Sequence, residues 1–167
     1  DRWLSDEELG RVWKQAYKTH RCFGPIVRLL IVTGQRREEV ASLSWEELDR
    51  SELMWTLPGN RAKNGEPNRI PLNALAVGIL DGIAEGEKWP RRGKIFPTST
   101  GGGFTAYHKG KEKIDRLVAE DGGEPIGLWR LHDLRRTLAT GFQRLGVRFE
   151  VTEAVLNHVG GSRAGVA

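Results

Sequence analysis

The sequence predicts an α+β domain that is mainly α-helical and carries a small antiparallel β-sheet. Apolar residues recur at helical spacing in most segments, whereas two short β-prone runs, LMWTL and NRIPL, flank the turn signal Asn64-Gly65. No repeat, low-complexity tract or internal linker divides the chain. Residues 1–167 are therefore predicted to form a single domain, which is long enough to bury a core.

The first third of the chain predicts three helices. Ser5 and Glu8 make an S-x-x-E capping box, and apolar residues at helical spacing follow them. The run GPIVRLLIVTG is apolar nearly all round, which is typical of a buried helix, and Gly34 predicts its end. The run RREEVASL predicts a short third helix.

The rest of the chain predicts a hairpin followed by four more helices. β-prone residues prevail between about residues 45 and 72, and Asn64-Gly65 is expected at the tip of the hairpin. The basic run KWPRRGK is predicted to be a loop. The predicted helices are NALAVGILDGIAEG, AYHKGKEKIDRLVAE, the apolar stripe from Leu131 to its end at Gly146, and FEVTEAVLNH.

The charge balance favours an anionic partner, and the cysteine count indicates a reducing compartment. Lys and Arg number 26 against 22 Asp and Glu, although a net charge of +4 is also common in ordinary enzymes. The single cysteine, Cys22, excludes an internal disulfide and a zinc site built on several thiolates. No apolar run reaches the length of a membrane span and no signal peptide opens the chain, so we expect a cytoplasmic protein.

The stretch HDLRRTLAT places a histidine and an arginine in the middle of an apolar helical pattern. His132 and Arg135 are three positions apart, so their side chains are neighbours along one edge of the predicted helix. An isolated H-x-x-R pair is most often an exposed helix edge whose arginine binds a surface carboxylate. This pair alone leaves both a structural and a functional interpretation open.

Three further stretches carry basic side chains at the ends of predicted elements. TGQRREEV places Arg36 just after the buried helix, with Glu39 one turn further on and able to hold its guanidinium. Lys63 directly precedes the Asn-Gly turn, where it could reach over a bound ligand. VLNHVGG puts His158 at the end of the last predicted helix, on the same side as its valines. Each could be an ordinary surface residue, but their combination favours a functional site.

In order and spacing, these stretches resemble the catalytic domain of the tyrosine recombinases, the phage integrase family, over essentially the whole chain. The family's T-G-x-R-x-x-E pattern is matched by Thr33, Gly34, Arg36 and Glu39, its hairpin lysine by Lys63, its H-x-L-R motif by His132, Leu134 and Arg135, and its second histidine by His158. The amino-acid sequence around the two histidines is most similar to that of integrases of bacterial prophages and genomic islands. The resemblance implies the fold of that catalytic domain and a bacterial, cytoplasmic protein that is nucleoid-associated when bound to DNA.

The resemblance also implies a mechanism that needs no metal, ATP or other cofactor. A tyrosine attacks a DNA phosphodiester, which forms a 3′-phosphotyrosyl bond and frees a 5′-hydroxyl. Arg36 and Arg135 are expected to stabilise the charge on the phosphate oxygens, and Lys63 to protonate the departing oxygen. His132 and His158 are expected to donate hydrogen bonds or move the phenol proton. Two further residues are expected to have supporting roles, Glu39 and Asp133.

The nucleophile is the point at which the sequence departs from the family's pattern. The family's tyrosine follows the second histidine by about ten positions, whereas no tyrosine follows His158 before the chain stops at Ala167. We do not nominate Tyr17 or Tyr107, which precede the motifs. We therefore expect a fragment that ends before the nucleophile, lacks the family's N-terminal DNA-clamping domain, and is inactive by itself.

Basic residues outside the motifs are candidates for DNA contacts. Such residues position a duplex through its phosphates without reading sequence, so double-stranded DNA is the expected partner. A solvated helix face is an equally good interpretation of KGKEKIDR. The family resemblance implies a tetramer on DNA for the full-length protein. The candidate DNA-binding residues are Arg61, Arg69, Arg91, Arg92, Lys94, Lys109, Lys111, Lys113 and Arg116.

Two alternative functions stay open at this stage. His132-Asp133 is also the dipeptide of the HD metal-dependent phosphohydrolases, which bind a divalent metal through histidines and aspartates. That class needs an aspartate further along the chain, and none follows Asp133. The other alternative is a DNA-binding relative of the family that has lost cleavage.

Overall fold

The computed structural model describes residues 2–101 and 103–158 and confirms the predicted fold class. Within those ranges it contains seven α-helices and one three-stranded antiparallel sheet. The helices are α1 (Asp6–Ala16), α2 (Phe23–Thr33), α3 (Arg37–Ala41), α4 (Ala74–Ala84), α5 (Tyr107–Ala119), α6 (Leu131–Arg144) and α7 (Phe149–Val155). The strands are β1 (Leu48–Asp49), β2 (Met54–Leu57) and β3 (Asn68–Pro71), and a short 3-10 helix spans Trp45–Glu47.

Helix α2 lies at the centre of the fold, as its nearly uniform apolar sequence predicts. It packs against α1, α3, α4, α5 and α6, and its Ile26 and Val27 are fully buried. Gly34 ends α2 in the left-handed conformation with φ 65°, where its N–H donates to the carbonyl oxygen of Leu30. The end of the central helix is therefore fixed inside the molecule.

The first helix begins with the predicted capping box. The Ser5 hydroxyl accepts the N–H of Glu8 at 3.2 Å, and the Glu8 carboxylate accepts the N–H of Ser5 at 2.9 Å. Asp6 and Glu7 add negative charge to the first turn, where it interacts favourably with the helix dipole.

The sheet has the predicted antiparallel hairpin, with a long connection between its two strands. Strands β2 and β3 pair from Met54 with Pro71 to Leu57 with Asn68, and residues 58–67 form a long connection between them. Pro67 has no N–H to extend the ladder beyond Asn68. A turn still forms within the connection, because the N–H of Gly65 donates to the carbonyl of Ala62 at 3.0 Å.

The last helix is shorter than predicted. Helix α7 ends at Val155, and Asn157 adopts a left-handed conformation with φ 49°. His158 therefore lies beyond the helix, not on the helical face that carries Val151. No helix in the described parts of the chain is long and apolar enough to cross a membrane.

Candidate active site

Arg36 is held at the start of α3 by Glu39. The Glu39 carboxylate accepts the Arg36 backbone N–H at 3.0 Å and the Arg36 Nη1 at 3.2 Å. Glu39 is 3% exposed, and its carboxylate also accepts the backbone N–H of Lys63 at 3.4 Å. One buried carboxylate thus fixes the direction of a guanidinium and ties the β2–β3 connection to it.

Arg135 points from α6 into the interior instead of forming an exposed helix edge. Its side chain donates from Nη1 to the carbonyl oxygen of Gly34 at 2.7 Å and from Nη2 to that of Leu156. Burial, followed by the charge of Arg36, lowers the pKa of Arg135 to about 10, so the guanidinium stays charged at neutral pH. Two carbonyl groups, one after α2 and one after α7, therefore orient this cation.

His132 lies one helical turn before Arg135 and is more accessible. Loss of hydration, followed by the charges of Arg136 and Arg135, lowers the pKa of its imidazole below the ordinary 6.5. The neutral imidazole is therefore favoured at neutral pH, and it can both donate and accept a hydrogen bond.

Four of the five residues predicted as catalytic line one cleft of about 1010 Å³, namely Arg36, Lys63, His132 and Arg135. They come from α3, the β2–β3 connection and α6, which are far apart in the sequence. The remaining cations along the cleft are Arg37, Arg61, Lys111 and Arg130, whereas its carboxylates are Glu38 and Glu39. This excess of positive charge suits an anionic ligand.

His158 does not line that cleft, although the residue before it is hydrogen-bonded to the connection that carries Lys63. The His158 Nδ1 lies 2.8 Å from Oε1 of Glu153. The preceding residue, Asn157, has a carbonyl that accepts a hydrogen bond from the Asn64 side chain at 3.1 Å, which ties it to the Lys63 connection. The segment that carries His158 is thus fastened to the site, while the imidazole lies outside the cleft.

The predicted supporting residue Asp133 is buried and fully engaged at the start of α6. Its carboxylate accepts the backbone N–H of Arg130 at 2.7 Å and Nη1 of Arg136 at 2.9 Å. It is 4% exposed. Within the described residues no three His, Cys, Asp or Glu side chains lie together in a group that could hold a metal ion.

The predicted DNA-contact residues divide into two groups. Arg61, Lys94 and Lys111 have intramolecular partners, because Arg61 binds the Glu47 carboxylate at 2.6 and 2.7 Å, Lys94 donates to the Ser42 carbonyl, and Lys111 binds Asp115 at 2.6 Å. In the free protein these three side chains are therefore already bound within the molecule. The others are exposed or partly exposed, namely Arg69, Arg91, Arg92, Lys109, Lys113 and Arg116.

One wall of the cleft consists of residues that sequence analysis did not identify. Tyr107 and Trp129 lie there, with Arg37 above the Tyr107 ring at 4.3 Å and Lys111 above the Trp129 ring at 3.9 Å. Arg37 could have been predicted, because it directly follows the candidate Arg36 in the run RREE. No local pattern marks Trp129, because its position depends on long-range packing.

The fold and the basic cleft are those of one domain, and comparison with known sequences assigns that domain to a family. The sequence profile of the phage integrase family matches residues 2–164, so the chain belongs to that family. No curated protein matches the chain significantly.

Solved structures with this fold include integrases and recombinases. The Tn1549 transposon integrase (residues 82–397) in complex with circular intermediate DNA is 14% identical with a TM-score of 0.76, over 95% of this chain and 58% of that one. The XerA recombinase is 20% identical with a TM-score of 0.72, over 96% and 56%. The catalytic domain of bacteriophage HP1 integrase is 21% identical with a TM-score of 0.69, over 95% and 81%. The chain thus spans somewhat more than half of the first two proteins.

Proposed function

We propose that this chain is the catalytic domain of a site-specific DNA recombinase, which cleaves and rejoins DNA strands through a 3′-phosphotyrosyl intermediate. The observation that carries the proposal is the convergence of Arg36, Lys63, His132 and Arg135 on one cleft. Double-stranded DNA is the proposed partner. The full-length protein is proposed to act in the bacterial cytoplasm as a tetramer on DNA, with a separate N-terminal domain that clamps the duplex.

The two arginines supply charge stabilisation. Negative charge grows on the two non-bridging phosphate oxygens as the nucleophile attacks, and planar guanidinium groups can donate to both. The contacts of Arg36 with Glu39 and of Arg135 with Gly34 orient both groups before substrate arrives. Loss of either donor set is expected to cost about 2.7–4 kcal/mol of transition-state stabilisation.

Lys63 and His132 are proposed to transfer protons, and His158 to donate a hydrogen bond. The phenolic oxygen forms a bond to phosphorus while the bond to the 5′-oxygen breaks, and Lys63 gives that oxygen its proton. The neutral imidazole of His132 can accept the phenol proton, in agreement with the lowered pKa of its ring. His158 is proposed to donate to a phosphate oxygen, which requires its imidazole to turn toward the cleft when DNA binds.

The nucleophile is proposed to be a tyrosine outside residues 1–167. Tyr17 lies away from the cleft, with the Arg28 guanidinium 3.5 Å from the centre of its ring. The Tyr107 hydroxyl lies in the cleft but donates to Glu38 at 3.1 Å, and burial followed by the Glu38 charge raises its pKa. A phenol held in its protonated form is a poor nucleophile.

The engaged Asp133 carboxylate weakens the HD phosphohydrolase alternative. In that class the aspartate is a metal ligand, whereas here its oxygens accept from Arg130 and Arg136. The DNA-binding relative without cleavage differs from the proposed enzyme only in its chemistry, so covalent attachment to DNA separates the two.

The test uses the protein extended along its gene beyond residue 167 to the next tyrosine, together with a nicked suicide duplex. A covalent protein–DNA adduct is expected with the wild type, and Arg36→Ala and Arg135→Ala should abolish it. Arg144→Ala, which removes an exposed arginine paired with Asp6, is the matched control and should retain it. Thermal unfolding of each variant, with Arg135→Lys as a milder change, separates lost chemistry from lost folding. Adduct formation at the wild-type rate in Arg36→Ala would contradict the proposal.

A further inference from the structure

Arg37, Glu38 and Tyr107 form a polar cluster on one wall of the cleft. The Glu38 Oε1 accepts Nε of Arg37 at 2.9 Å and lies 2.7 Å from its Nη2. The Glu38 Oε2 accepts the Tyr107 hydroxyl at 3.1 Å. One carboxylate thus accepts hydrogen bonds from two side chains that line the same cleft as Arg36.

The tyrosine is the rigid member of this cluster. Its ring packs edge-on against Phe104 at 5.5 Å, and Phe104 in turn packs against the fully buried Phe23 at 5.8 Å. The Arg37 guanidinium lies over the same ring. Both donors are therefore held in place by a platform that reaches the core.

Glu38 is the replaceable member. Its side chain is 64% exposed, and its pair with the 49% exposed Arg37 is of the solvated kind that contributes little to stability. The start of α3 is fixed instead by the buried Glu39, which accepts the Arg36 N–H. The Glu38 carboxylate can thus leave its donors at little cost to the fold.

We propose that Arg37 and the Tyr107 hydroxyl bind a backbone phosphate of DNA next to the scissile one, and that Glu38 occupies this site in the free protein. A guanidinium and a hydroxyl that now hold two carboxylate oxygens can hold two phosphodiester oxygens in the same way. Glu38 then acts as an internal competitor that lowers affinity for DNA. This inference rests on the proposed function, because it needs DNA in the cleft.

The test measures binding of the 167-residue chain to a short fluorescein-labelled duplex by anisotropy, at several salt concentrations. Removal of the competing charge in Glu38→Gln should tighten binding by about 3- to 10-fold at low salt. Arg37→Gln should weaken binding and reduce the slope of log K against log salt by about 0.9, because one phosphate contact is lost. Glu52→Gln removes an exposed carboxylate from the β1–β2 turn and is the matched control.

The decisive variant is the double substitution Arg37→Gln with Glu38→Gln. If Glu38 competes for Arg37, the gain from Glu38→Gln should shrink to less than about 1.5-fold in the Arg37→Gln background. An equal gain with and without Arg37, or an equal gain from Glu52→Gln, would overturn the inference and leave the proposed function intact. Absence of duplex binding by both the wild type and Glu38→Gln would instead contradict the proposed function, and this site with it.

Discussion

Arg135 donates a hydrogen bond from Nη1 to the carbonyl oxygen of Gly34 at 2.7 Å, across 101 positions of sequence. Gly34 ends the central helix, so the position of a proposed catalytic guanidinium depends directly on how that helix ends. The left-handed backbone at Gly34 turns its carbonyl toward α6, and a side chain at this position would oppose that conformation.

Gly34→Ala is expected to damage both the fold and the site. A Cβ there would lie 3.1 Å from side-chain atoms of Leu138 and Leu156, and the positive φ adds a strain of about 1–2 kcal/mol. Chemical denaturation should show a loss of at least this size in the free energy of unfolding. Adduct formation should also fall at temperatures at which the variant is still folded. Gly10→Ala is the control, because nothing lies within 4 Å of its Cβ, and it should stabilise α1 by about 0.5–1 kcal/mol. Unchanged stability and activity in Gly34→Ala would contradict the requirement for a left-handed glycine at the end of α2.

Glu39→Gln is expected to weaken the site more than the fold. The substitution removes the charge that holds Arg36, and an amide can satisfy only some of the three donors that the carboxylate accepts. We expect a loss of about 1–3 kcal/mol in the free energy of unfolding and a larger proportional loss of adduct formation. Glu52→Gln serves again as the exposed control. A variant with normal adduct formation would show that Arg36 needs no such support.

Lys63→Ala should be rescued by a better leaving group. If Lys63 protonates the departing 5′-oxygen, a duplex with a 5′-bridging sulfur at the scissile position removes that need, because a thiolate leaves without a proton. Cleavage of normal DNA by the variant should fall by about 10²–10⁴-fold, and cleavage of the sulfur-containing duplex should stay close to the wild-type rate. Arg135→Ala is the comparison, since the sulfur substrate should not rescue it. Failure to rescue Lys63→Ala would argue against the role of general acid.

His132 should make the protein less stable in mild acid. Its pKa is lowered in the folded state, so the unfolded chain binds the proton more strongly, and stability is lost as pH falls below the ordinary value of 6.5. Above that value the histidine is neutral in both states and this contribution disappears. Urea unfolding on both sides of that pH should show a smaller acid-side loss in His132→Gln than in the wild type. The same pH dependence in both proteins would contradict the lowered pKa.

Local patterns in the sequence predicted the elements whose residues interact within a few positions. Three helices were predictable in this way, from the capping box of α1, the apolar run of α2 and the apolar stripe of α6. Helix ends and periodicity are local properties of a sequence. The runs LMWTL and NRIPL leave residues 58–67 between them, which is the β2–β3 connection that the structure has, whereas Asn64-Gly65 alone does not specify its length.

The candidate site shows the same division. Motif spacing led to Arg36, Lys63, His132 and Arg135, which share the cleft. Charge alone could not reveal that Arg61 is bound to Glu47, because that pair forms only through tertiary packing. The Tyr107 and Trp129 wall was missed for the same reason.

The proposed function depends on one phosphate being held by both arginines, and a crystal structure of the extended protein bound to a suicide duplex measures this directly. Guanidinium nitrogens of Arg36 and Arg135 should each lie about 2.7–3.2 Å from non-bridging oxygens of the same phosphate, with the Lys63 amine near its 5′-oxygen. Arg36 and Arg135 bound to different phosphates, or DNA lying outside the cleft, would contradict the proposed function.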